Sequence, residues 1–257
     1  MSPEVPRRTL RESLVDTANR VGEKFLRWLD RYFGRHSLVG DHTFFDPDDF
    51  AWVEKLEAGF PAIRKELDEV LRYHDELPNF QDISTDQYQI TDDDRWKTFF
   101  FYGYGFTAGR NVERCPETAR LLQEIPGMTT AMFSILAPHK HIPPHGGPYK
   151  GVLRYHLGLL IPEPNDQLGI RVGDDVRHWT EGKSLVFDDT WEHAAWNETD
   201  ETRVVLFVDF KRPLSGVARL LNETVLKAIG FSPFIQDAKA RHNAWEKRFE
   251  SARNRAA

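Results

Sequence analysis

The chain has 257 residues, with 34 Lys+Arg against 40 Asp+Glu for a net charge of −6, and 40% of it is hydrophobic. That is enough to close one sizeable core, and the acidic balance argues against a dedicated nucleic-acid binder. A single cysteine, Cys115, excludes an intrachain disulfide. The N-terminal residues lack the apolar centre of a secretory signal, and runs such as VVLFV at 204–208 fall far short of a membrane span. A cytoplasmic protein is the expectation.

Residues 9–33 carry Leu10, Leu14, Val21, Phe25, Trp28, Leu29 and Tyr32 near helical period, with Arg11, Arg20, Lys24, Arg27 and Arg31 available to another face. Such a helix either packs against the core or makes peripheral contact with an anionic membrane. A second helix is predicted over 50–73, kinked or divided by Pro61, then a polar loop over 74–94 and a short helix from Cys115 to Pro126–Gly127. From Thr129 the period becomes strand-like: 130–137, 151–161, 168–173, 176–180, 184–187, 193–197 and 203–210 are short, rich in β-formers and separated by Gly, Pro, Asn and Asp. Between the first two lies APHKHIPPHGGP, read as a Pro-rich loop. Helical pattern returns after Pro213. The expected fold is mainly β with helical flanks: one domain with a mostly helical region at 1–128, a double-stranded β-helix (jelly-roll) core at 129–213 and C-terminal helices at 214–257.

Six of the ten histidines fall between 139 and 193. Imidazole suits iron, zinc, copper and nickel, so their number does not choose a metal. Their placement says more. His145 leads into one long strand and His193 begins a late one, so on a jelly roll the two can converge on one metal. Arg203 starts the last strand, where a guanidinium pointing into the barrel would pair with a dicarboxylate. In GVLRYHLGL, alternation puts Arg154, His156 and Gly158 on one face. Periodicity leaves open whether that face is turned inward, toward an anionic ligand, or outward to solvent.

The runs CPETARLLQEIPG, FSILAPHKHIPPHGGPYKGVLRYHLGLLIP and EGKSLVFDDTWEHAAWNETDETRVVLFVD, spanning residues 115–214, resemble the aspartyl/asparaginyl β-hydroxylases in order and spacing. The resemblance implies a hydroxylase that uses iron(II), 2-oxoglutarate and dioxygen to oxidise an unactivated carbon. His145 and His193 match the iron-binding histidines, and Arg203 the residue that pairs with the far carboxylate of 2-oxoglutarate. Ser134, Arg154 and His156 match positions lining the 2-oxo acid site. Asp189 matches an acidic residue beside the metal that holds bound water. Trp191 and Trp196, flanking His193, are expected to pack the barrel. Where most oxygenases of this kind place a carboxylate two residues after the first histidine, this chain has Gly147. The vertebrate aspartyl enzymes resemble it in that respect, whereas the flanks resemble the bacterial lipid-hydroxylase branch. The substrate is thus a peptidyl or free aspartyl/asparaginyl group or a lipid acyl chain, with Gly147 weighing against lipid. The alternatives are an iron halogenase, a cupin-like metal-dependent binder or isomerase without 2-oxoglutarate, and an interaction module.

Overall fold

The computed structural model describes residues 24–256. A helix over 24–36, α1, opens it; the predicted helical stretch at 9–23 lies outside the described residues. β1 (Phe44–Phe45), α2 (Val53–Ala58), α3 (Phe60–Leu71) and α4 (Phe80–Ile83) follow, then β2 (Trp96–Gly103), β3 (Phe106–Thr107), α5 (Gly109–Arg114) and α6 (Pro116–Leu122). The next strands are β4 (Met128–Leu136), β5 (Lys140–His145), β6 (Val152–Leu160), β7 (Leu168–Val172), β8 (Asp175–Arg177), β9 (Ser184–Phe187), β10 (His193–Asn197) and β11 (Arg203–Lys211). Helices α7 (Gly216–Gly230) and α8 (Pro233–Ala256) come last.

The strands form two sheets, ordered β1-β9-β6-β11-β4-β2-β3 and β5-β10-β7-β8, with antiparallel pairing within each. From β4 to β11 the chain crosses repeatedly between them, which is the double-stranded β-helix expected from the short strands. Two segments depart from expectation. Lys140–His145, read as loop because of Pro143 and Pro144, is strand β5. It lies at the edge of the smaller sheet, and both prolines fall at the shift in its register against β10 between Ile142 and His145, where no residue pair is formed. The larger sheet also extends beyond 129–213, because Trp96–Gly103 pairs with β4 and Phe44–Phe45 with β9. Pro61 divides the second helix as anticipated, falling in the first turn of α3 where proline's lost donor is unneeded.

Strand β6 shows how the layers are built. Leu153, Tyr155, Leu157 and Leu159 are fully buried, and the Tyr155 ring meets Trp52 edge-on at 4.9 Å beside α2. The alternate face, Arg154 and His156, turns into the barrel. His156 packs on Phe187 and Phe207 at 5.0 and 5.2 Å. A second apolar cluster joins α1 to α7 through Leu29, Phe33, Ala218 and Leu226, seated on Tyr149 and Val152. So α1 is held by α7 and one end of β6.

On α8, His242 is buried among Phe100, Phe106 and Trp245. Neither ring nitrogen has a hydrogen-bond partner, and Glu246 Oε1 lies 4.0 Å from Nε2. Burial lowers its pKa to about 4, against about 6.5 in the unfolded chain. Between those values the unfolded state holds a proton that the folded state refuses, so this group costs stability as pH falls. His242→Phe should therefore reduce the loss of unfolding free energy between pH 8 and pH 5.5 by ~1.4 kcal/mol, measured by urea denaturation of both proteins at both pH values.

Candidate active site

The register of β5 and β10 places His193 directly opposite His145, and their ring centroids are 4.1 Å apart. Each ring is oriented by a carbonyl two residues before it: His145 Nδ1 donates to the Pro143 carbonyl of β5 at 2.8 Å and His193 Nδ1 to the Trp191 carbonyl of the β9–β10 connection at 3.0 Å. Both Nε2 lone pairs are then left for another partner, the usual tautomer of a metal-binding imidazole. Burial, then the Arg154 charge and the neighbouring His145, push His193 down to about 3. His145 is lowered as well, chiefly by burial. Both rings are neutral at physiological pH, as ligands must be.

Asp189 precedes His193 in the β9–β10 connection. Its Oδ2 meets Arg154 at 2.8 Å, while Oδ1 is buried with no hydrogen-bond partner. Burial raises its pKa, against the opposing pull of Arg154. The Asp189 carboxyl occupies the volume a side chain at position 147 would fill: a Cβ built on Gly147 falls on its carboxyl atoms, and the Gly147 amide donates to the Asp189 carbonyl at 2.6 Å. The carboxylate missing two residues after His145 is thus offset by one arriving from the neighbouring connection. That connection is itself anchored. Asp188, fully buried, binds Arg212 and Lys150 Nζ, the latter at 3.0 Å, and accepts from the Thr190 hydroxyl at 2.6 Å.

Arg154 also binds Asp209, Nε to Oδ1 at 2.9 Å, and stacks over Phe207 at 4.2 Å. Burial works against its charge, but Asp189 and Asp209 outweigh that and raise its pKa. Arg154 is thereby spoken for at the mouth, with two carboxylates as partners. Asp209 was not singled out in the sequence. It lies on the Arg203, Val205, Phe207 side of β11, opposite Arg154 in register, so stepping in twos from Arg203 was the available signal.

Arg203 lies deeper and is differently placed. It is 1% exposed, its Nη1 reaches only the Ser134 carbonyl at 3.4 Å, its Nε has no partner, and its guanidinium stacks on Trp179 at 4.6 Å. Among the described residues no carboxylate forms an ion pair with it, and burial pulls its pKa down to about 9. His156 lies between Arg203 and His193 electrostatically. Burial and then the charges of Arg203 and Arg154 hold it well below the ordinary histidine range. Its Nδ1 accepts from Trp179 Nε1 at 3.3 Å, so the proton resides on Nε2, a buried donor without an acceptor. The Ser134 hydroxyl accepts from Trp96 Nε1 at 3.0 Å. Trp191, expected as packing, is instead exposed, with Lys150 Nζ over its ring at 5.4 Å.

A cavity of about 430 Å³ opens at His145, His193, Asp189 and Arg154 and runs between the sheet and the helices, past Met132, Phe100, Phe106, Ile83, Phe234 and Ile235. Its lining joins these aromatic and aliphatic side chains to the charged groups beside the histidines and to Ser84, Asp86, Gln87 and Gln89. Because the Asp189 carboxyl depends on an absent Cβ, Gly147→Ala should displace it and weaken divalent-metal binding by ~10–100-fold, measured by calorimetry, with little change in thermal unfolding.

Residues 57–213 match the family model described as Aspartyl/Asparaginyl beta-hydroxylase. The chain is 51% identical over 232 residues to the ornithine lipid ester-linked acyl 2-hydroxylase of Rhizobium tropici, covering 89% of this chain and 83% of that protein. It is 28% identical over 219 residues to the human aspartyl/asparaginyl beta-hydroxylase, covering 78% of this chain but only 28% of the longer human protein. Among solved structures, a Pseudomonas putida prolyl-4-hydroxylase aligns over 60% of this chain and 87% of its own, at 15% identity and a TM-score of 0.41. By both the family match and the 51% identity, this chain belongs to the aspartyl/asparaginyl β-hydroxylase family.

Proposed function

We propose that the chain is an iron(II)- and 2-oxoglutarate-dependent dioxygenase that hydroxylates a lipid acyl chain. The observation that carries the cosubstrate is Arg203, a guanidinium buried in the barrel without a counter-ion. An uncompensated buried charge costs several kcal/mol, which a bound carboxylate would offset. His156 Nε2–H, equally buried and unpaired, offers a second donor to the same anion.

His145 and His193 would hold the iron through Nε2. Bound there, the metal supplies dioxygen activation, with 2-oxoglutarate oxidised to succinate and carbon dioxide as a C–H bond of the substrate is hydroxylated. The protein's part is positioning. The carbonyls of Pro143 and Trp191 fix the two rings, Arg203 orients the far carboxylate of the cosubstrate, and the buried Oδ1 of Asp189 stands ready to hold water beside the metal. The Arg154 guanidinium opposes the rise that burial imposes on the Asp189 carboxyl and holds it in place.

The acyl substrate is supported by the aromatic and aliphatic side chains that make up much of the cavity lining, and by the 51% identity to a lipid acyl hydroxylase. Gly147 weighs less against lipid than it did in the sequence, since Asp189 occupies its place. Anaerobic addition of 2-oxoglutarate to the iron(II)-loaded protein should produce the weak visible charge-transfer band of the chelate; its absence would refute the assignment. Arg203→Met should weaken 2-oxoglutarate ~10- to 150-fold, the equivalent of a charge-assisted bond of 1.5–3 kcal/mol. The same variant should abolish the rise in melting temperature that 2-oxoglutarate gives the wild type. An unchanged rise would show that Arg203 does not bind the cosubstrate.

A further inference from the structure

Helix α7 leaves an unusual side uncovered. Val217, Leu220, Thr224, Ala228 and Phe231 recur at helical spacing on its outer face, and Val217, Leu220 and Phe231 are 70%, 57% and 83% exposed. On its neighbour α1, Phe25, Trp28 and Tyr32 stack in a continuous ladder with centroids 5.9 and 5.3 Å apart, and Phe25, Leu26 and Trp28 are exposed. The two helices share one apolar seam, so their outward residues belong to adjacent surfaces. Large exposed apolar groups on neighbouring elements mark an interaction surface.

Charge selects the occupant. The chain as a whole carries −6, yet α1 bears Lys24, Arg27, Arg31 and Arg35 against Asp30, and α7 bears Arg219 and Lys227 against Glu223. The Asp30 carboxylate accepts from the Lys150 amide at 3.1 Å and so is engaged inward. Aromatic and aliphatic side chains interleaved with a basic excess fit the boundary of an anionic bilayer. The face also lies beside the cavity. The Gly230 backbone, next to exposed Phe231, abuts the Tyr104 carbonyl, and Tyr104 and Phe234, the latter three residues after Phe231, both line the cavity that reaches His145 and His193.

We propose that the outer faces of α1 and α7 form a docking surface for an anionic lipid bilayer, with Phe231 at the rim where an acyl chain enters the cavity. This rests on the acyl-chain reading above and assigns that substrate its point of entry. Sedimentation of the 257-residue chain with phosphatidylglycerol/phosphatidylcholine vesicles should show binding that weakens with salt and is slight on pure phosphatidylcholine. The double variant L220D/F231D should lower that affinity at least tenfold while keeping the wild-type melting temperature. Should that variant fold poorly, the charge reversals R31E/K227E give the same readout. Wild-type protein that ignores anionic vesicles, or variants that bind as wild type, would overturn the proposal. So would variants that convert an oligomer to a monomer without altering vesicle binding, since the face would then belong to a second copy. Hydroxylation of detergent-dispersed acyl lipid separates the two ideas: turnover without vesicle binding defeats docking alone, and vesicle binding without turnover defeats the acyl substrate alone.

Discussion

The antiparallel pairing of β5 with β10 is the constraint on which the site depends. Two side chains directly opposite each other on adjacent strands are neighbours by geometry, and here the register makes both of them histidine. A one-residue slip would turn one ring to the other face of the sheet. The ring orientations are set locally, because the carbonyl that holds each Nδ1 lies two residues before its histidine, in β5 for His145 and at the end of the β9–β10 connection for His193. No distant residue is needed to set the tautomer. What the distant residues do is hold the β9–β10 connection, through the buried Asp188, Arg212 and Lys150 contacts.

The barrel treats its two inward arginines in opposite ways. Arg154 is neutralised twice, by Asp189 and Asp209, and its charge serves to keep a carboxylate in place beside the histidines. Arg203 is left without a counter-ion on a tryptophan face. A folded chain tolerates a paired buried charge far better than a lone one, so the asymmetry is what supports reading Arg203, and not Arg154, as the partner of the proposed cosubstrate. His156 sits between the two in field and in space, with its indole partner choosing which nitrogen carries the proton.

Much of this was legible in the residues, for identifiable reasons. The strands β6, β9, β10 and β11 announce themselves because β-branched and aromatic residues run between clear turn signals, and β9 and β10 fall at 184–187 and 193–197 as expected. Alternation paired Arg154 with His156, but only the packing of Tyr155 on Trp52 shows which face is inward. Strand β5 was hidden by Pro143 and Pro144, since propensity does not reveal that a strand lies at an edge. Strand β2 joins the sheet through β4, some thirty residues later in the chain, a pairing that local pattern does not carry. The largest gap was Gly147, which reads as a missing ligand in one dimension. In three it is a space kept clear for a side chain from elsewhere in the chain.

The two prolines of β5 have one more effect. The open margin of a small sheet is a template on which another strand can grow, and protein chains blunt such margins in order to stay soluble. Pro143 and Pro144, at the register shift of β5 against β10 and immediately before His145, bring no amide hydrogens to this edge strand. The margin beside the histidines is thus a poorer template for strand addition than an edge with its full set of amide donors.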